Sequence, residues 1–365
     1  MTETSSFRQH YPALDGLRGI AILLVVFYHN FGFINYFFFG WLGVDLFFVL
    51  SGFLITNILL GTVNKTNYLR NFFTRRILRI FPLYYAVLII CFFLIPAFGN
   101  SWIDLPFYTS NQLWFWLYFQ NWLFIVKTPP NNFLVHFWSL AVEEQFYLVW
   151  PFVILLIKKP KRLFVLVFAV LLIVLIVRLA LWLYKIDQLS YFSLYTFTRI
   201  DGLCIGCMIA LLQRISKNFL EKYTTVVVLA LAVANFVFYF INRSYQFSFP
   251  YLAIIGYTTF AIIFGFGVYE STTGKNKIID VLFGTRVLKF FGKISYGLYI
   301  FHWPVYLLLL PVVKNIFNNL YQTNSDMVQI ASSIAVTGIA VLISFCSYRY
   351  FEKYFLDLKS KLTKT

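Results

Sequence analysis

Arg18 and His29 stand eleven residues apart inside the first long apolar stretch of the chain, LDGLRGIAILLVVFYHNFG. Eleven steps of about 100° return a helix almost to the same face, and at ~1.5 Å per residue the two side chains lie roughly 16 Å apart along it. One face thus carries a fixed cation near one end and a titratable ring near the other. Exposure of such groups to lipid costs several kcal/mol, so ionisable residues in spanning segments point into protein-lined cavities and mark functional sites. His29 is read as a functional residue in preference to a packing histidine.

Further residues could join it. The turn after the first stretch is short and centred near Phe37, so residues equidistant from it should lie at similar depth, which pairs His29 with Asp45. A carboxylate there would fix the imidazole tautomer and stabilise imidazolium. The alternative is that Asp45 caps the start of the second span. In YLRNFFTRRILRIFPLYY, Arg70, Arg75, Arg76 and Arg79 lead into the third span. Arg76 and Arg79 share a helix face, and a planar guanidinium that stays charged suits a phosphate. A cytoplasmic phosphate-bearing ligand therefore stands beside the plainer reading of a topogenic anchor.

In HFWSLAVEEQFYLVWP, Glu143 and Glu144 sit about two turns into a span. His136, Ser139 and Glu143 fall close to one face, which turns Glu143 rather than Glu144 toward a polar interior. The alternative pairs these carboxylates with Arg178 or Arg199. In FTRIDGLCIG, Arg199 and Asp201 either line an outer cavity or neutralise each other. In SYGLYIFHWPV, His302 lies mid-span, just before a tryptophan and a helix-kinking proline, as a polar wall residue or as a structural one. His10 reads as a surface residue.

The elements that must position these groups follow from composition. Of 365 residues, 60% are hydrophobic and 12% charged, with a mean hydropathy of +0.75. That excludes a soluble globule and predicts an all-α polytopic transmembrane bundle. Cys91, Cys204, Cys207 and Cys346 all fall in apolar segments, and the Cys204-x-x-Cys207 spacing reads as helix packing. No His/Asp/Glu set has recognisable ligand spacing, so no metal is expected. A net charge of +16 could suggest nucleic acid, but the basic residues sort by side of the membrane instead.

Apolar runs lie near 14–34, 40–61, 79–97, 111–126, 134–157, 163–184, 195–213, 224–241, 249–269, 287–313 and 328–348. The Trp-rich 111–126 run reads as re-entrant or interfacial, leaving about ten spans with both termini inside. On that topology 24 of the 30 basic residues fall inside and four outside: Lys127, Lys185, Arg243 and Lys314. Such a split follows the positive-inside rule. The first run is longer than a signal-peptide core and lacks a small-x-small cleavage site, so it reads as a retained span.

Taken together, LDGLRGIA with His29, GVDLFFVLSGFLI, RRILRIFPLYY, WSLAVEEQFYLVWP, RIDGLCIG and SYGLYIFHWPV resemble, in this order, the acyltransferase 3 family of bacterial membrane acyltransferases. The resemblance implies one integral-membrane domain over 1–365, in the bacterial plasma (inner) membrane, with short cytoplasmic tails near 1–12 and 352–365. It implies an O-acyltransferase that moves an acyl group, usually acetyl, from cytoplasmic acyl-coenzyme A to a hydroxyl, often on a cell-envelope glycan. The family's arginine and histidine fall on Arg18 and His29, its arginine pair on Arg76 and Arg79, its serine-glycine element on Ser51 and Gly52, and its acidic element on Glu143 or Glu144.

One scheme accommodates both readings. Arg75, Arg76 and Arg79, with Arg18, hold coenzyme A. His29, oriented by Asp45 or another carboxylate, acts as base, with Glu143 and Ser51 as further catalytic candidates. Glu144, Arg199, Asp201 and His302 are assigned to the acceptor. The sequence ends soon after its last span, so a second, extracytoplasmic transfer step in this polypeptide is not expected. The rival classes are a transporter of a lipid-linked or acylated glycan and a structural subunit of an envelope-polymer complex.

Overall fold

The computed structural model describes residues 11–97, 105–184, 191, 193–242, 255–274, 277–321 and 325–362. The expectations on Arg8, His10, Lys185, Arg243, Lys275 and Lys364, the start of the 249–269 run and most of the N-terminal tail fall outside them. Regular structure among the described residues is helical. In chain order the long helices are α1 (Pro12–Asn30), α2 (Leu42–Thr62), α3 (Tyr68–Ile89), α4 (Trp138–Ile157), α5 (Pro160–Leu183), α6 (Asp201–Ile215), α7 (Lys217–Asn242), α8 (Tyr257–Thr273), α9 (Arg286–Tyr321) and α10 (Asp326–Ser347). A short α11 (Lys353–Leu362) follows.

Among the described residues, each of the ten runs read as spans overlaps one of α1–α10. Eight helical stretches among the described residues are long and apolar enough to cross a membrane. The two outside that set are α6, with 15 residues, and α8, with 17, against about 20 for a full crossing. The protein is therefore an all-α, multi-pass membrane protein. Its contacts divide into two units, the first made of 1–21, 44–68 and 142–289, the second of 22–43, 69–141 and 290–365.

In the first unit an apolar core joins Leu14, Leu17 and Ala21 of α1 to Leu46, Val49, Leu50 and Phe53 of α2, Leu171 of α5, Ile205 and Ile209 of α6, and Phe266 of α8. Small residues let backbones meet where lipid offers no hydrophobic drive. A Cβ at Gly52 would run into the carbonyl oxygen of Leu203, and one at Gly206 into that of Val49, so α2 and α6 touch main chain to main chain. On α5 the buried positions are Leu163, Val167, Leu171, Val174 and Arg178. Their spacing of three and four is one helical stripe, and Arg178 continues it. The opposite face, with Val165, Ile173 and Ile176, is exposed and apolar, as a lipid-facing surface must be.

In the second unit the connection after α1 is a 3₁₀ helix, Asn35–Trp41. It folds back until a Cβ at Gly40 would meet Leu24 and Tyr28, and Phe37 stacks on Phe27 at 4.8 Å. The 111–126 segment forms no long helix. It is cut into Gln112–Trp116 and Gln120–Val126, preceded by the short helix Pro106–Ser110, with Tyr118 in the left-handed region at φ 57°. A break frees backbone carbonyls that hydrocarbon cannot satisfy. Here α3 supplies the donors: Tyr84 Oη donates to the Phe115 carbonyl at 2.8 Å and Tyr85 Oη to that of Trp116 at 3.0 Å. The Tyr84 ring also stacks on Tyr118 at 4.3 Å.

Candidate functional site

His29 occupies the last turn of α1 and is half-buried. Its Nδ1 lies 3.0 Å from the Val25 carbonyl, one turn back on its own helix, and 3.2 Å from Nε2 of His302 on α9. His302 is buried, with its Nδ1 at 2.8 Å from the Tyr299 carbonyl and 3.0 Å from that of Leu298. A third histidine, His136, packs its buried ring 5.2 Å from His302 and 6.4 Å from His29. The Trp303 ring lies 5.1 Å from His29, tilted by 46°.

The surroundings hold this group rigidly. Tyr299 Oη donates to the His136 carbonyl at 2.6 Å, which leaves Ser139 Oγ to donate to Tyr299 Oη at 2.6 Å. Trp303 Nε1 donates to the Asn132 carbonyl at 2.8 Å, and its ring stacks on Tyr306. Next to His29, buried Asn30 donates to Thr337 of α10 at 2.9 Å. All of these residues belong to the second unit. One end of α1, the middle of α9 and the turn before α4 together form an imidazole cluster in which His29 is the least buried residue.

The first unit holds its polar residues differently. Arg199 pairs with Asp45 at 2.6 Å and Arg178 with Asp201 at 2.7 Å. Arg178 also donates to Thr258 Oγ1 at 3.0 Å and, through Nε and Nη2, to the Thr198 carbonyl. Thr258 passes its own proton to Asp201 at 2.8 Å, and the Arg199 guanidinium lies 3.8 Å above the Tyr257 ring. Arg178, Arg199, Asp45 and Asp201 are at most 2% exposed, so two cations and two anions cancel inside the helices. Buried charge is tolerated on such terms.

This arrangement changes three expectations. Asp45, expected to orient His29, belongs to the first unit and bonds Arg199; the groups at His29 Nδ1 are Val25 and His302. Arg199 and Asp201, read as lining a cavity or neutralising each other, each have another partner. The polar stripe drawn through His136, Ser139 and Glu143 does not run along one helix. His136 lies in a 3₁₀ turn, Val135–Phe137, and α4 begins only at Trp138. Ser139 bonds Tyr299, while Glu143 accepts a hydrogen bond from Ser51 Oγ at 2.6 Å.

Ser51, Glu143 and Glu144 are half-buried, as is Arg18. Gly52 beside Ser51 is required by the α2–α6 contact. Arg75, Arg76 and Arg79 fall on α3, partly exposed, with Arg76 over the Phe72 ring at 5.8 Å. All four cysteines carry free thiols, and Thr56 donates to Cys207 while accepting from Trp150. Tyr299, Trp303 and the Val25 carbonyl were not singled out by sequence. Tyr299 stands three residues before His302, where a helix puts it on the same face, and that spacing was the available signal.

Fold and site define a multi-pass helical membrane protein with an imidazole cluster at the end of its first helix. Residues 11–349 match the acyltransferase 3 family, described as an acyltransferase domain, and the chain belongs to that family. It is 30% identical over 374 residues to "Peptidoglycan O-acetyltransferase OatA" of Listeria monocytogenes, covering 97% of this chain and 58% of the relative. It is 29% identical over 367 residues to "O-acetyltransferase OatA" of Staphylococcus aureus, covering 94% of this chain and 57% of the relative. The chain thus spans a little over half the length of these curated relatives. No solved structure matches it.

Proposed function

We propose that this chain is a membrane O-acyltransferase that moves an acetyl group from cytoplasmic acetyl-coenzyme A to a hydroxyl of a cell-envelope glycan, with peptidoglycan as the first acceptor class to test. The observation that carries this reading is His29: a histidine half-buried in the last turn of α1, whose Nδ1 is engaged by Val25 and His302. The name of the Listeria monocytogenes relative supports the acceptor class, and both names support O-acetyl transfer. The site belongs to the bacterial plasma membrane with both termini cytoplasmic, a placement that rests on the 24-to-4 division of basic residues.

In the proposed reaction the acceptor oxygen attacks the thioester carbonyl while His29 takes the hydroxyl proton. A C–O bond forms, the C–S bond breaks, and the proton passes to the departing coenzyme A thiolate. General-base assistance of this kind contributes ~10²–10⁴-fold, with positioning supplying more. Arg75, Arg76 and Arg79 hold the coenzyme A phosphates, because three guanidiniums within five residues of one helix match a polyanion. Arg18, eleven residues before His29 on α1, is a further cation for the same ligand. Ser51 and Glu143 are read as a proton-handling pair, with Glu144 beside them for the acceptor. Arg199 and Asp201 are reassigned to holding the helices, their charges being met within the buried quartet.

The test is coenzyme A release from acetyl-coenzyme A by purified protein in lipid nanodiscs, with and without muropeptide acceptor. His29→Ala is expected to lower turnover by ~10²-fold or more, and Arg79→Ala to raise the acetyl-coenzyme A KM. Release indifferent to His29→Ala would remove the proposed base. Absence of both release and donor binding, even with envelope extracts, would move the reading to a glycan transporter.

A further inference from the structure

The hydrogen bonds around His29 and His302 admit one assignment of protons. Backbone carbonyls accept and never donate. The Leu298 and Tyr299 carbonyls both face Nδ1 of His302, at 3.0 and 2.8 Å, so that nitrogen carries the proton. The Val25 carbonyl faces Nδ1 of His29 at 3.0 Å, so that nitrogen carries one too. The remaining contact is His302 Nε2 to His29 Nδ1 at 3.2 Å. With a proton already on His29 Nδ1, His302 Nε2 must accept. The reverse assignment would aim lone pairs of both rings at carbonyl oxygens.

We propose that His302 is a positioning residue that holds His29 as its Nδ1–H tautomer, making Nε2 the atom that receives the acceptor's proton. This rests on the reading of His29 as base. Val25 and His302 share one N–H, and both contacts survive when His29 becomes imidazolium, since the added proton goes to Nε2. A hydrogen bond donated by a cation is stronger than one donated by a neutral ring, so the pair stabilises the charge that develops during transfer. His302 thereby does for His29 what an orienting carboxylate does for other catalytic histidines, without placing a second charge in the membrane. Its own orientation is locked, because a ring flip would give up both carbonyl bonds at a site that is fully buried.

The sequence contains four histidines, which makes the tautomers readable. The experiment is ¹⁵N NMR of histidine-labelled full-length protein in nanodiscs, with His29→Ala used to assign the His29 signals. The expected wild-type pattern is a protonated Nδ1 and an unprotonated Nε2 on His29. In His302→Phe the tautomers should mix, with kcat for coenzyme A release down by about tenfold to a hundredfold and the acetyl-coenzyme A KM within twofold of wild type. His302→Gln, whose amide oxygen offers an acceptor in place of Nε2, should restore the tautomer and most of kcat. A wild-type His29 protonated on Nε2, or an unchanged Nδ1–H signal in His302→Phe, overturns the proposal. If the Phe variant fails to fold, a His302→Gln protein with mixed tautomers overturns it as well. The tautomer is read without turnover, so the two failures are distinguishable: a dispensable His29 would remove the proposed base and with it the role of Nε2 as proton acceptor, whereas the hold of His302 on the His29 tautomer stands or falls on the ¹⁵N signal alone.

Discussion

The two units hold their polar residues by opposite means. In the first unit, two arginines and two aspartates are buried together and cancel. In the second, three histidines cluster as neutral rings, their described partners are mostly backbone carbonyls, and one of them keeps part of its surface exposed. A charged residue inside a membrane helix is a functional candidate by default. Here the fully ionic group is the one with its charges already met, and the group with an available ring is neutral. On the proposed function, burial together with partner identity, rather than charge, separates scaffold from chemistry.

The comparison is tested most severely by unbalancing the quartet. Asp201→Leu leaves Arg178 buried beside Thr258 without its carboxylate, and removal of one partner from a buried ion pair costs ~3–5 kcal/mol. A large fall in the unfolding midpoint in detergent is expected, and Arg178→Met added to Asp201→Leu should recover much of it, since an apolar pair of similar volume is often neutral or better. A single Asp201→Leu that melts like wild type would mean that the quartet does not hold the helices.

A smaller effect is expected where α2 meets α6. Gly206→Ala puts a methyl group against the Val49 backbone, and overpacking of this kind costs about 1–3 kcal/mol. Its signature is a lowered midpoint with the His29 tautomer unchanged, because the contact lies in the first unit. A shifted His29 spectrum would show that the two units are not independent in this respect.

The smallest effect on stability should come from Ser51→Ala. It removes one hydrogen bond to the half-buried Glu143, worth about 1 kcal/mol or somewhat more for a charged acceptor. The informative measurement is turnover at matched folding. A loss of about tenfold or more is expected from the proposed proton-handling role of the Ser51–Glu143 pair, and would qualify the simple division into an ionic scaffold and an imidazole site. Activity near wild type would remove the pair from the reaction and sharpen that division.

Much of the fold was legible in sequence because the bilayer imposes a strict rule: backbone polar groups must be satisfied within the chain, so long apolar runs become helices. The 111–126 run was set apart as re-entrant or interfacial by its amphipathic aromatics, but the break within it was not foreseen, because the tyrosines that satisfy its carbonyls lie on α3 and carry no local signal. The stripe Leu163, Val167, Leu171, Val174, Arg178 was written at helical spacing in α5, yet only the partner of Arg178 gives it meaning. His29 was singled out from its place in a span, where it is half-buried, while its partner was assigned by depth alone. Depth says which residues share a layer of the membrane. It does not say how each helix is rotated about its axis, and rotation decides which faces meet.

By itself, then, the sequence determined the class of protein, the course of its helices and the short set of residues from which a site could be built, because hydropathy and helical periodicity are local properties. The tertiary structure decided the pairings. Asp45 meets Arg199 across 154 residues and His29 meets His302 across 273. Such partners are chosen by helix rotation and by close backbone contacts at residues such as Gly52 and Gly206, which fix faces only once the whole set of helices has packed.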